Sequence, residues 1–114
     1  MSRDPATLLD VARAGRLVVD FCSGLDRRAF MRDVKTQSAV LHPLLVIGEA
    51  VKRFSEEFRN RHPEIPWTVV AGMRDKLIHE YDELDRDEVW STAQRHVPSL
   101  LRFLEPLLPK QERS

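Results

Sequence analysis

Between Thr36 and Arg61, apolar side chains recur at helical spacing: Leu41, Leu44, Leu45, Ile47, Val51, Phe54 and Phe58, with Gly48 on the same face. A stripe this wide must be covered by other elements. The rest of the chain offers surfaces of the same kind. Alternating runs of β-branched residues, the mark of strands, do not recur. The pattern predicts an all-α fold, an antiparallel bundle of four main helices plus one short helix.

The first helix is expected over residues 5–23. Asp4 or Ser2 suits its N-cap, and Pro5 its first helical position. Leu8, Val11, Ala12, Val18, Val19 and Cys22 form its inner stripe, and Gly24 suits its end. A short turn follows in "DRRAFMRD". The second helix reads as continuous from about Thr36 to Arg61, with Pro43 either tolerated near its start or bending it, and Gly48 marking a close approach of another helix. "RHPEIPW" carries two prolines and must be a loop. A third helix starts near Trp67, buries Val70, Met73 and Leu77, and ends near His79. Asp85, three residues before Glu88, marks the cap of the last helix. Its inward residues are Val89, Trp90, Ala93, Val97, Leu100, Leu101, Leu104 and Leu108, with Pro98 and Pro106 as local breaks. One domain over 1–114 is expected, its core about 4–108 and its tail 109–114 frayed.

Composition narrows the function. The 114 residues contain 18 Lys and Arg against 18 Asp and Glu, so net charge gives no argument for nucleic acid. A nucleic-acid partner would need a local basic patch. The lone Cys22 cannot form an internal disulfide, and its apolar neighbours predict burial in a chain of the reducing cytoplasm. The N-terminus lacks a signal-peptide pattern, and no apolar run is long enough to span a membrane. His42, His62, His79 and His96 show no metal-ligand spacing. Neither a phosphate-binding glycine loop nor a nucleophile elbow is present. No cofactor and no metal are expected.

One stretch carries coherent chemistry: "GMRDKLIHEY", residues 72–81. Arg74 is a permanent cation whose planar fork suits phosphate. His79 can exchange a proton near neutrality. Tyr81 adds a hydroxyl. On a regular helix each residue turns about 100°, so Arg74 and His79 diverge by roughly 140° and His79 and Tyr81 by roughly 200°. The three cannot share one face of a continuous helix. Either the helix ends near His79, as the break at "DELD" favours, or two subunits share the site. The structural reading is an ordinary charged helix end.

The flanks add specificity. "VIGEAVKRFSEEF", "RHPEIPW", "AGMRDKLIHEY" and "VW", in this order, resemble the HEPN superfamily and within it the HepT-like (DUF86) branch, over about residues 4–108. The resemblance implies a metal-independent ribonuclease, the toxin of a type VII toxin–antitoxin system. It implies a homodimer with two motifs in one cleft, RNA and in particular tRNA as substrate, and a minimal nucleotidyltransferase of the MNT type as antitoxin. That antitoxin would transfer AMP to the motif tyrosine. Arg74 and His79 match the catalytic positions and Tyr81 the modified one. Asp75 stands where the superfamily often has Asn; it and Glu49 of "IGEA" are candidate supporting residues, Glu49 alternatively belonging to a buried polar network. Lys52, Arg53, Arg59, Arg61, Arg74 and Lys76 are interrupted by Glu56, Glu57, Glu64 and Asp75, which reads as a solvated mixed face. Dimerisation would gather Arg74 and Lys76 from two chains into a positive cleft. The rival readings are a non-catalytic HEPN-like module that binds a nucleotide or a protein, and a purely structural helical dimer subunit.

Overall fold

A computed structural model of the chain describes residues 3–79 and 83–109, and among them the regular elements are helical. In chain order they are α1 (Asp4–Cys22), α2 (Arg27–Arg32), α3 (Val34–Ala50), α4 (Glu56–Arg61), α5 (Trp67–Ala71), α6 (Met73–Leu77), α7 (Arg86–Ser91) and α8 (Val97–Leu104). A 3-10 turn, Val51–Arg53, extends α3, and another, Glu105–Leu107, follows α8. The expected all-α bundle is therefore the observed one.

The main axis of the bundle is α1 packed along α3. Their directions oppose, because Asp4 at the start of α1 meets Ser55 just beyond the end of α3. Val11 and Val18 of α1 and Val40, Leu44 and Ile47 of α3 are fully buried between them, with Phe30 of α2 closing one end. From α8, Val97, Leu100 and Leu104 complete the core. Burying side chains of this size contributes about 1.5–3 kcal/mol each. Cys22 lies in this core, and burial pushes its thiol up from its ordinary value. Val19, expected in the inner stripe of α1, is instead exposed together with Leu17 and Phe21. It stands about 100° around the helix from the fully buried Val18 and reaches solvent there.

The expected continuous helix over residues 36–61 is broken at Ser55. Its backbone turns extended there (ψ 152°), and its hydroxyl accepts the Phe58 N–H at 3.0 Å as the cap of α4. The cause is Asp4. Its carboxylate accepts the Ser55 N–H at 2.9 Å and the Ser55 hydroxyl at 2.6 Å. Asp4 thus lies inside α1, with Arg3 in the cap position, and its side chain serves the neighbouring helix instead of capping its own. The other proposed cap, Ser2, lies outside the described residues.

Similar local chemistry sets the remaining boundaries. Asp26 caps α2 through the Ala29 N–H, and Asp33 caps α3 through the Thr36 N–H. The Thr36 hydroxyl, with the backbone bond, holds the Asp33 carboxyl below its usual range. Gly24 ends the α1 region at φ +80°, a conformation other residues rarely adopt. In "RHPEIPW" the Trp67 indole N–H donates to the Arg59 and His62 carbonyls, at 3.2 and 3.0 Å, at the free end of α4. Phe54, Phe58 and Trp67 pack edge and face around this turn. The last helix forms as two segments, α7 and α8, joined by a π turn over Thr92–His96. Pro98 has no N–H to give to the Gln94 carbonyl, and its ring would crowd that carbonyl in a regular helix. The wider turn, closed by the Val97 N–H on the Thr92 carbonyl, relieves the conflict.

Replacing Asp4 with Ala strips Ser55 of its carboxylate partner. The expected loss is about 1–3 kcal/mol, read as a lower urea midpoint with unchanged slope. Ser55→Ala is expected to be non-additive with it in a double-mutant cycle.

Candidate functional site

The stretch singled out from sequence runs along α6 and leaves it at the predicted place. Met73 and Leu77 fix α6 to the core, Leu77 with no exposure at all. Gly48 of α3 lies beneath it. A Cβ there would sit 3.5 Å from the Val70 carbonyl oxygen and 3.8 Å from the Met73 Cβ, so α5 and α6 come close to α3, as the glycine predicts. The expected single third helix is interrupted at Gly72 and stops at Leu77. Ile78 is already extended (φ −123°, ψ 119°).

Beyond Leu77 the chain turns back on itself. Ile78 and Leu84 form an antiparallel bridge, the His79 N–H donates to the Glu83 carbonyl at 2.8 Å, and the Asp85 N–H donates to the Leu77 carbonyl at 2.9 Å. Helical arithmetic therefore ceases to apply between Arg74 and His79. The stretch ends its helix where the motif demands it.

Arg74, Asp75 and Lys76 are exposed on α6. His79 projects from the turn, with its side chain 57% exposed. Its Nε2 lies 2.9 Å from Asp85 Oδ2. A cleft beside it is lined by Met31, Glu83, Leu84, Asp85, Arg86 and Asp87. Arg74 does not line that cleft. Arg86 donates to the Met31 carbonyl, and Arg27 pairs with Asp87, so both local arginines are already engaged. Tyr81 lies outside the described residues. Glu49 is exposed and paired with Lys52 at 3.2 Å on the surface of α3, which removes it from the buried polar network weighed for it. Among the described residues, no group of three or more His, Cys, Asp and Glu converges as a metal site.

Asp85 is the residue whose second contact the sequence did not disclose. Its spacing to Glu88 announced a cap, and Oδ1 does accept the Glu88 N–H at 3.1 Å. Its other oxygen faces His79, a pairing across the turn that no linear spacing encodes.

A family model described as "Ribonuclease HepT-like" matches residues 11–107. A protein of Thermococcus cleftensis named "Probable ribonuclease HepT" is 43% identical over 100 residues, covering 88% of this chain and 91% of the relative. One of Methanocaldococcus jannaschii named "Putative RNase MJ0127" is 37% identical over 103 residues, covering 90% and 85%. No solved structure gives a significant match. With a helical fold that ends α6 between the motif arginine and histidine, and a family match over most of its length, this chain belongs to the HepT-like family.

Leu77→Ala would open a void directly under the turn that carries His79. The expected cost is about 2–5 kcal/mol of stability, measured by urea unfolding. Backbone amide exchange is expected to rise first at His79 and Asp85, whose N–H bonds close the turn.

Proposed function

We propose that this chain is a single HepT-like domain acting as a metal-independent endoribonuclease, the toxin of a two-gene type VII toxin–antitoxin system, working as a cytoplasmic homodimer. Near-full-length similarity to proteins named as ribonucleases supports the activity. The observation that carries the reading is the placement of His79. It stands exposed just past the end of the helix that bears Arg74, its ring held by a carboxylate.

In the proposed reaction His79 takes the proton of a ribose 2′-OH. The 2′-oxygen attacks the adjacent phosphorus, and the bond from phosphorus to the 5′-oxygen of the next nucleotide breaks. A proton is returned to that oxygen. The products are a 2′,3′-cyclic phosphate and a 5′-hydroxyl. Positioned proton transfer contributes roughly 10²- to 10⁴-fold. Arg74 stabilises charge developing on the phosphoryl oxygens, and its planar fork suits that role better than an ammonium. Need for the 2′-OH selects RNA over DNA. Transfer RNA is the proposed substrate class. Asp75, exposed beside Arg74, is a candidate support for the orientation of that arginine.

Dimerisation supplies what one chain lacks, because Arg74 does not line the cleft beside His79. Val69 and Phe103 are exposed apolar side chains flanking a groove next to Lys76 and supply surface for such contact. Two chains would bring Arg74 and Lys76 into one positive cleft.

One feature favours the alternative of a non-catalytic module that binds a nucleotide or a protein. The lining of the His79 cleft carries Glu83, Asp85 and Asp87 against Arg86, with Arg27 paired to Asp87, so it offers a polyanion no excess of positive charge. Cleavage decides between the two. Wild-type protein incubated with tRNA in EDTA is expected to yield fragments ending in cyclic phosphate, while His79→Ala and Arg74→Ala lose on the order of 10²-fold or more in rate. Equal cleavage by wild type and His79→Ala would remove the catalytic reading.

The proposed antitoxin is a minimal nucleotidyltransferase that moves AMP from ATP to the Tyr81 hydroxyl. An added phosphate near Arg74 would compete with the substrate phosphate. Mass spectrometry after incubation with such an enzyme and ATP is expected to show one added AMP per chain and loss of cleavage. Persistence of the adduct in Tyr81→Phe would move the modification elsewhere.

A further inference from the structure

We infer that Asp85 is the positioning residue for His79, fixing the imidazole as the Nε2–H tautomer and leaving Nδ1 as the nitrogen that exchanges a proton with substrate. As a statement about the reaction, this rests on the ribonuclease reading above. As a statement about the ring, it rests on geometry alone.

Geometry and ring chemistry together carry it. His79 Nε2 and Asp85 Oδ2 are 2.9 Å apart, within the range of a direct hydrogen bond. An ionised carboxylate has only acceptor sites, so the shared proton belongs to Nε2. A neutral imidazole carries one proton, so Nδ1 then holds the lone pair. The carboxylate is also fixed in place: Oδ1 accepts the Glu88 N–H at 3.1 Å, and the Asp85 N–H donates to the Leu77 carbonyl at 2.9 Å. Asp85 is only 29% exposed against 57% for His79. The less exposed member of the pair therefore orients, and the exposed member is free to meet a ligand on its other side.

The side of the ring facing Asp85 lies toward a cleft whose lining also holds Glu83, Arg86 and Asp87, with Asp87 paired to Arg27. Nε2 is already engaged by Asp85, so a substrate's approach is to the other ring nitrogen. In the step proposed, Nδ1 accepts the 2′-OH proton and becomes N–H. The imidazolium so formed is stabilised by Asp85, which keeps its own negative charge. The ring then gives the Nδ1 proton to the departing 5′-oxygen, restoring its starting state. No proton leaves the Nε2 side.

The variant Asp85→Asn tests this cleanly, because Asn caps a helix as well as Asp and spares the start of α7. Its amide NH₂ would donate to His79, so the ring is expected to shift to the Nδ1–H tautomer, which cannot act as base at Nδ1. Ring ¹⁵N spectra of the wild-type protein, taken where the imidazole is neutral, are expected to show protonated Nε2 and bare Nδ1, and the Asn variant the reverse. With tRNA, kcat is expected to fall on the order of 10²- to 10⁴-fold, while affinity for a 2′-O-methyl RNA that cannot react stays within about two-fold. A wild-type ring protonated at Nδ1 overturns the assignment. So does an Asn variant that retains wild-type kcat. The spectra need no substrate. If wild type cleaves no RNA, the ribonuclease reading falls and the ring result still decides whether Asp85 sets the tautomer.

Discussion

The molecule turns on the bond between the Asp85 N–H and the Leu77 carbonyl. Leu77 is sealed in the core at the last position of α6, and Asp85 opens α7. That one bond ties the end of one helix to the beginning of the next. With it, Ile78 leaves the helix and pairs with Leu84, and His79 is presented outward. A helical continuation would have set His79 roughly 140° around the axis from Arg74. The core supplies the rigidity, since Met73 and Leu77 are held against α3 over Gly48. The exposed chemistry is thus fixed by buried contacts a few residues away.

The same economy recurs elsewhere. Short acidic and hydroxyl side chains set the helix starts: Asp26, Asp33, Ser55 and Asp85 each accept a backbone N–H three residues ahead. Two side chains of this kind reach beyond their own helix. Asp4 binds Ser55 and so couples α1 to the cap of α4. Asp85 joins a cap to the ring of His79. In both cases one carboxylate oxygen serves a backbone group and the other a side chain, which couples local folding to tertiary placement.

These features also explain what the sequence disclosed. Periodic apolar residues revealed the helical class and most of the core, because burial of Leu44, Ile47, Leu77 and Val97 follows from spacing alone. Asp85 was legible as a cap because its partner is three residues away. The break at Ser55 was not, since it depends on Asp4, 51 positions earlier in the chain. The serine followed by Glu56 and Glu57 was the local hint, outweighed by an apolar stripe that continues to Phe58 on both sides of the break. Arg74 and His79 were legible as chemistry and the end of their helix as a geometric necessity. The partner of His79 was hidden for the same reason as that of Ser55: contacts across a turn follow from the fold and leave no period.

The π turn before Pro98 has a consequence for the phase of the last helix. Val89, Ala93 and Val97 follow one another at intervals of four. On a regular α-helix each such step drifts by about 40°, and the row would swing toward solvent. The wider turn slows the rotation per residue and keeps all three in the core. The segment therefore acts as a register spacer. It lets a proline and a four-residue apolar spacing coexist, and it couples the orientation of everything after His96 to the exact number of residues in one turn.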